Sequence, residues 1–273
     1  MGDDVLTVQG TAIPRIGLGT WLLDGREATE GVRDALEIGY RHIDTARGYG
    51  NEAEVGAGIA ASGVDRREIF LTTKIGPSDA EPARLRRGAD DSLRALRTDY
   101  VDLLLLHWPT DRVPLEHTLE ALRQLLEEGK IRHPGVSNFP AGMLERALEI
   151  TPLLADQVEY HPFLAQDALL ELVAERDLTL TAYSPLARGK VPRDSTLTEI
   201  GEEHGKSAGQ IALRWLVEQP HVTAVPKASS HERRVENIDI FDFELTGRDR
   251  ERIAALPKDD REIDPSWAPD WDV

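Results

Sequence analysis

The 273-residue chain contains no cysteine. Disulfides, thiolate nucleophiles and cysteine-bound zinc are excluded with it. Positive charge is scarce as well: 32 basic side chains against 49 acidic ones leave a formal net charge of −17. Nucleic acids and anionic membranes both demand a basic footprint, so neither is expected as a partner. Only six of the basic residues are lysines (Lys74, Lys130, Lys190, Lys206, Lys227 and Lys258), leaving 26 arginines. A lysine-poor, strongly acidic surface suits a salt-rich cytoplasm, where screening tames self-repulsion, and a salt-adapted protein is the expectation. No apolar run approaches the ~18 residues of a membrane span, and the longest, Leu103 to Leu106, is a buried strand at most. Met1-Gly2-Asp3-Asp4 has neither the basic flank nor the apolar run of a signal peptide. Leu6 stands where a myristoylation signal needs Ser or Thr. A soluble cytoplasmic protein is expected.

What is present is an ordinary globular composition, 40% hydrophobic with 22 glycines, which excludes general disorder. Short apolar or β-branched runs fall at 16–19, 42–45, 69–73, 100–107, 131–136, 155–159, 178–183 and 222–225. Amphipathic helical patterns lie between them at 27–38, 52–60, 83–96, 115–128, 141–150, 167–176 and 207–217. Gly39 and Gly129 read as helix stops and Ser207 as an N-cap. Eight buried strands alternating with helices predict an α/β fold with a parallel sheet, and at this length a closed (β/α)8 TIM barrel. No linker-like run divides the chain, so residues 1–273 are read as one barrel domain. Two segments fall outside the eightfold pattern. Residues 5–15 read as a strand pair around Gln9-Gly10, an N-terminal β-hairpin that plugs the barrel bottom. Residues 258–273 read as an irregular C-terminal tail, whose Trp267 and Trp271 need something to pack against, a pocket rim being the obvious place.

In a parallel barrel the chemistry belongs at the C-terminal ends of the strands. Reading only those positions gives Asp44 and the following Tyr49, then Lys74, His107, Ser137-Asn138, Gln157 and Glu159, Tyr183-Ser184 and Lys227. Polar groups at the ends of apolar strands are unfavourable unless paired, which makes a Lys beside an Asp plausible. Such an ammonium lowers the pKa of a nearby phenol, and Asp, Lys and Tyr together make a proton donor. A neutral His beside them polarises a carbonyl. Taken alone, Asp44 reads as a strand cap and Lys74 as a surface lysine; together with Tyr49 and His107 they read as a site. Trp21 and Trp108 follow strand ends and read as substrate-pocket walls in preference to plain packing. His117, His133, His204, His221 and His231 show no metal spacing and read as surface or loop residues, and His161 as structural, so no metal is expected. Gly17-Leu-Gly19 lacks the third glycine of a dinucleotide fingerprint. Gly56-Ala-Gly58-Ile-Ala-Ala61 follows no strand, so neither is read as a Rossmann site.

Gly39-Tyr-Arg-His-Ile-Asp44-Thr-Ala-Arg-Gly-Tyr49-Gly-Asn-Glu52, Leu105-Leu-His107-Trp-Pro109, Gly135-Val-Ser-Asn-Phe139 and Val225-Pro-Lys227 resemble the aldo-keto reductase family in register. Gln157-Val-Glu-Tyr-His-Pro162 and Ala182-Tyr-Ser-Pro-Leu-Ala-Arg-Gly189 extend the resemblance to about residues 5–257. It is nearest the prokaryotic 2,5-diketo-gluconate reductase-like branch. The resemblance implies a monomeric, NADP(H)-dependent reductase of small-molecule carbonyls. It implies Tyr49 as general acid, with Lys74 and Asp44 lowering the tyrosine pKa from its reference of ~10, and His107 orienting the substrate carbonyl. Ser137, Asn138 and Gln157 would hold the nicotinamide carboxamide, and Tyr183 would stack on its ring. Ser184, Leu186 and Gly189 belong to a loop that would wrap the pyrophosphate. Lys227 and Arg233 would grip the 2′-phosphate, with Asn237 near the adenine. The family often has Ser directly after that lysine; here Ala228 stands there, and Ser229 or Ser230 would have to substitute. The tail diverges too, and in this family it shapes substrate choice. Two other classes are conceivable. A silent nucleotide-binding barrel would have no reason to keep a buried Lys–Asp pair. A metal-dependent barrel hydrolase would find only His107 and Glu159 at strand ends.

Overall fold

The computed structural model describes residues 4–271; the first three residues, on which the reading of the N-terminus rests, and the last two lie outside the described residues. Strands β1 (Val5–Val8) and β2 (Thr11–Pro14) form the antiparallel hairpin. Its turn residues Gln9 and Gly10 both have positive φ, 49° and 76°, the geometry that matches a two-residue turn to the twist of its strands. Leu6, Val8 and Ile13 pack on Phe70, Leu103, Leu105, Leu154 and Ala155. The hairpin therefore stoppers the end of the barrel where the strands begin.

Eight parallel strands follow: β3 (Leu18–Gly19), β4 (His42–Asp44), β5 (Phe70–Ile75), β6 (Val101–Leu106), β7 (Ile131–Ser137), β8 (Ala155–Glu159), β9 (Thr179–Tyr183) and β10 (Val222–Ala224). Each pairs with its sequence neighbour. The ring closes between the first and the last: Gly17 N–H donates to Ala224 O at 2.9 Å, Ala224 N–H to Arg15 O at 2.8 Å and Gly19 N–H to Pro226 O at 3.1 Å. A Cβ on Gly19 would lie 2.6 Å from Val225 O, so glycine there is a condition of closure. The expected TIM barrel is the observed fold, with shorter end strands. Ile16 is joined to Ala224 by an isolated bridge, and Lys227, expected to end the last strand, sits beyond it in a bridge to Gly19.

The outer helices are α1 (Gly25–Ile38), α2 (Glu52–Ser62), α3 (Pro82–Leu96), α4 (Leu115–Glu127), α5 (Ala141–Ile150), α6 (Asp167–Glu175), α7 (Ser195–His204), α8 (Ala208–Glu218), α9 (His231–Ile238) and α10 (Gly247–Ala254). Gly39 caps α1, and Ser207 caps α8 in a reciprocal bond with Gln210. The glycines of α2 that mimic a nucleotide motif have a packing role. A Cβ on Gly56 would meet Leu96 backbone at 2.7 Å and one on Gly58 would meet Thr29 O at 2.7 Å, so they let three helices touch. Helices α7, α9 and α10 have no counterpart among the seven helical patterns read from the sequence. Helix α10 buries only Asp249 and Ile253, too few to leave an apolar stripe. Of the histidines read as surface or loop residues, His117 and His231 are exposed; three have side-chain partners, His133 with Thr11, His204 with Asp249 and His231 with Asp34. No helix among the described residues is long and apolar enough to cross a membrane.

Candidate active site

Strand β4 delivers Asp44 to the open end of the barrel, and a single tight turn over Arg47–Tyr49 folds Tyr49 back over it. From the neighbouring β5, Lys74 reaches inward and is almost wholly enclosed, 1% exposed against 4% for Asp44. Lys74 Nζ donates to Asp44 Oδ1 at 2.5 Å, to Thr45 O at 2.9 Å and to the Tyr49 hydroxyl at 3.3 Å. All three ammonium donors are thus used. Burial, the largest influence on Lys74, disfavours the cation, but Asp44 and Tyr49 together outweigh it and hold the lysine above its ordinary pKa. It stays charged.

Tyr49 departs from expectation. Lys74 does act to lower its pKa, but burial is the larger influence, and with Asp44 also opposing ionisation the phenol lies above its ordinary value. The hydroxyl therefore holds its proton at neutral pH while touching a cation that would stabilise the anion left behind. The His107 ring meets the Tyr49 ring edge-on with centroids 5.8 Å apart. Burial, aided by the Lys74 charge, depresses His107 to about 3. Its imidazole is neutral.

The residues expected to contact the nicotinamide carboxamide form one hydrogen-bonded chain. Gln157 Nε2 donates to the second Asp44 oxygen at 2.7 Å, and Ser137 Oγ donates to Gln157 O at 2.8 Å. Asn138, at φ 64°, donates to His107 O at 2.9 Å and to Ser137 Oγ at 3.0 Å. Its carbonyl accepts from the Tyr183 hydroxyl at 2.7 Å. Burial raises Tyr183 above the ordinary phenol value. Ser137, Asn138, Gln157 and Tyr183 are therefore wired to Asp44 and His107.

Beyond β9, Ser184, Ala187 and Arg188 all have positive φ between 45° and 48°, a sparsely populated conformation for residues with a Cβ. The loop carrying Leu186 and Gly189 is thereby bent toward the barrel mouth, where the Arg188 guanidinium lies 5.0 Å over the Trp21 ring. Across the closure seam, Lys227, Ser229 and Arg233 are exposed and Asn237 is buried. Ser230 is occupied as the N-cap of α9, accepting from Arg233 N–H, which leaves Ser229 as the hydroxyl without a partner among the described residues. On the other side of the mouth, Trp267 and Trp271 from the tail meet Trp108 edge-on, with centroids 4.9 and 6.0 Å away. The tail tryptophans do pack on a rim. Trp21 remains 41% exposed.

Residues without an assigned role in the sequence reading hold this arrangement. Asn51 is buried, accepts from the Thr45 hydroxyl at 3.0 Å, and donates to Thr20 O and Leu23 O at 2.8 and 2.7 Å. It ties the Tyr49 loop to the Trp21 loop. The next residue, Glu52, is also buried and accepts from Thr73 at 2.5 Å and Ser92 at 3.0 Å. Two buried polar residues opening a helix are the available sequence signal.

The structure is thus a (β/α)8 protein whose polar cluster lies at the C-terminal end of the strands. A model of the aldo/keto reductase family matches residues 15–258. A glyoxal reductase of Bacillus subtilis (strain 168) is 43% identical over 263 residues, covering 95% of this chain and 94% of the relative. The methylglyoxal reductase DkgB of Escherichia coli O157:H7 is 36% identical over 267 residues, covering 96% of this chain and all (100%) of the relative. A crystal structure of a candidate 2,5-diketo-D-gluconic acid reductase B superposes with a TM-score of 0.96 at 43% identity, covering 99% of this chain and 98% of that one. The chain belongs to the aldo/keto reductase family, oxidoreductases that reduce small-molecule carbonyls with a nicotinamide cofactor.

Proposed function

We propose that this chain is an NADPH-dependent reductase of small aldehydes and ketones, with Tyr49 as the general acid. The observation that carries the reading is the contact of the Tyr49 hydroxyl with a buried, charge-balanced Lys74–Asp44 pair. A bound nicotinamide supplies the hydride. Tyr49 gives its proton to the carbonyl oxygen, and Lys74 at 3.3 Å steadies the resulting phenolate. His107, neutral at working pH, donates a hydrogen bond that orients the same oxygen. Asp44 keeps Lys74 charged and, through Gln157, ties the proton donor to the cofactor side of the site.

The residues present fit a 2′-phosphorylated dinucleotide. Lys227 and Arg233 have no carboxylate within 4.0 Å among the described residues, although acids outnumber bases. Ser229 offers beside them a hydroxyl with no partner among the described residues. Ala228 faces the core, so a phosphate hydroxyl contact falls to Ser229. Ser184, Leu186 and Gly189 would border the pyrophosphate, Asn237 would serve the adenine, and Trp21 and Trp108 would flank the substrate. The chain is read as one domain, acting as a cytoplasmic monomer. The names of its relatives make glyoxal and methylglyoxal the first substrates to try. The test is NADPH titration against protein fluorescence, followed by methylglyoxal addition while the absorbance of the reduced nicotinamide is monitored. Tight binding without oxidation of the cofactor would leave a silent nucleotide-binding barrel and end the enzymatic reading.

A further inference from the structure

Glu159 closes β8 and is fully buried with its carboxylate beneath the barrel mouth. No lysine or arginine pairs with it among the described residues. Its partners are His161 Nε2 at 3.0 Å and two consecutive backbone amides from the tail. Glu262 N–H donates to Oε1 and Ile263 N–H to Oε2, both at 2.8 Å. A carboxylate withdrawn from water needs such donors, and amides bonded to a charged oxygen are held more firmly than amides bonded to a neutral one.

The place of these bonds along the tail matters. Residues 258–263 are stitched to the barrel. Ala165 N–H bonds Lys258 O and Asp260 N–H bonds Phe163 O, both at 3.0 Å, and Lys190 pairs with Asp260 and Glu262. Beyond Ile263, the hydrogen bonds among the described residues are internal to the tail: Ala268 N–H to Pro265 O and Trp271 Nε1 to Asp264. Trp267 and Trp271 then reach Trp108 by ring contact alone, with Arg261 stacked 3.9 Å over Trp271. The two amides on Glu159 are the last polar attachment before the aromatic wall.

We propose that Glu159 is a positioning residue for substrate selection: its carboxylate sets the register of the tail, and through the tail it places Trp267 and Trp271 against Trp108, forming a wall for substrates with an apolar or aromatic group. This rests on the carbonyl-reductase reading. Small dicarbonyls, held at the carbonyl by Tyr49 and His107, do not need the wall; aryl aldehydes do.

The test is Glu159→Gln, which keeps the side-chain shape but turns an NH2 group toward one of the two amides. Hydrogen exchange in the full-length protein reads the clamp without any turnover, and exchange at 262–271 should accelerate about ten-fold, the scale of one lost hydrogen bond to a charged group. In kinetics, KM for 4-nitrobenzaldehyde should rise by about the same factor, with its kcat and both constants for methylglyoxal within about two-fold of wild type. Deleting residues 264–273 should raise the same KM, and Glu159→Gln should add nothing to that deletion. Unchanged tail exchange overturns the proposal. So does faster exchange with an unaltered KM, a parallel loss of kcat on both substrates, or additive effects of substitution and deletion. A wild-type chain that reduced neither aldehyde would overturn the parent reading, and the selection role with it, whatever the exchange showed.

Discussion

Replacing Asp44 by Asn preserves the side-chain outline and removes its charge. One Asp44 oxygen accepts from Lys74 Nζ at 2.5 Å and the other from Gln157 Nε2 at 2.7 Å. An amide has one acceptor oxygen, so in the variant one of these buried donors faces an NH2 group. Breaking a buried ion pair from one side costs about 3–5 kcal/mol. Each kcal/mol moves the melting midpoint of a chain this size by about 2–4 °C, so Asp44→Asn should melt about 6–20 °C lower near pH 7. The pH dependence separates this mechanism from loosened packing. In the wild type, burial works against the Lys74 ammonium, but Asp44 and Tyr49 lift it above the ordinary value of 10.5. A raised lysine stabilises the fold fully below its unfolded pKa, and that stability is lost only as pH climbs through the folded one. In the variant, burial loses its main opponent and Lys74 falls below its unfolded pKa. The folded chain then binds fewer protons than the unfolded one, so its stability increases with pH. The gap between the two proteins should therefore shrink from about pH 7 to about pH 10 in melts followed by circular dichroism. A midpoint within about 2 °C of wild type near pH 7, or a deficit constant across the series, would refute the charge-balance account.

Tyr49→Phe should lower turnover by at least about 10²–10⁴-fold with NADPH affinity barely changed; a variant keeping half of wild-type turnover, with chemistry rate-limiting, would remove Tyr49 from the role. Lys227→Ala should weaken NADPH about ten-fold or more and leave NADH nearly untouched, and equal losses measured by fluorescence titration would exclude a 2′-phosphate contact. The melting midpoint should rise with KCl between about 0.05 and 1 M, because the repulsive range of 17 excess charges shrinks from about 14 Å to about 3 Å; a flat or falling curve would end the salt-adapted reading.

Asp44, Lys74 and His107 were legible as a candidate cluster because each sits at or just past the end of an apolar strand, where an uncompensated polar side chain is unfavourable, and Tyr49 because it follows in the turn after Asp44. The direction of the Tyr49 shift was not. Strand position shows which cation lies near a phenol, but not how much water the folded turn over Arg47–Tyr49 excludes, and here exclusion of water is the larger influence. Lys227 was placed one bridge too early, since the seam joins the chain to a residue more than 200 positions away. The Glu159 clamp left no pattern to read, because its donors are backbone amides and any residue at 262 and 263 except proline would supply them. Helices α7, α9 and α10 were missed for want of an apolar stripe, whereas the N-cap Ser207 stood out in the letters alone.

The seam at Gly19 also imposes an order of events during synthesis. Asp44, Tyr49, Lys74 and His107 all lie in the first 107 residues, yet the strand that closes the ring against Gly17 and Gly19 ends at Ala224, and Lys227 follows it. A chain emerging from the ribosome at about 5–20 residues per second carries all four residues proposed for proton transfer for several seconds before the ring can shut. During that interval Gly19 presents an unpaired strand edge, the kind of surface that recruits other chains. Lys227 and Arg233, proposed above to grip the 2′-phosphate, arrive last, on the far side of the gap. A nascent chain therefore gains its ligand only after its most vulnerable edge has been covered, and ligand binding can then hold the ring shut by mass action.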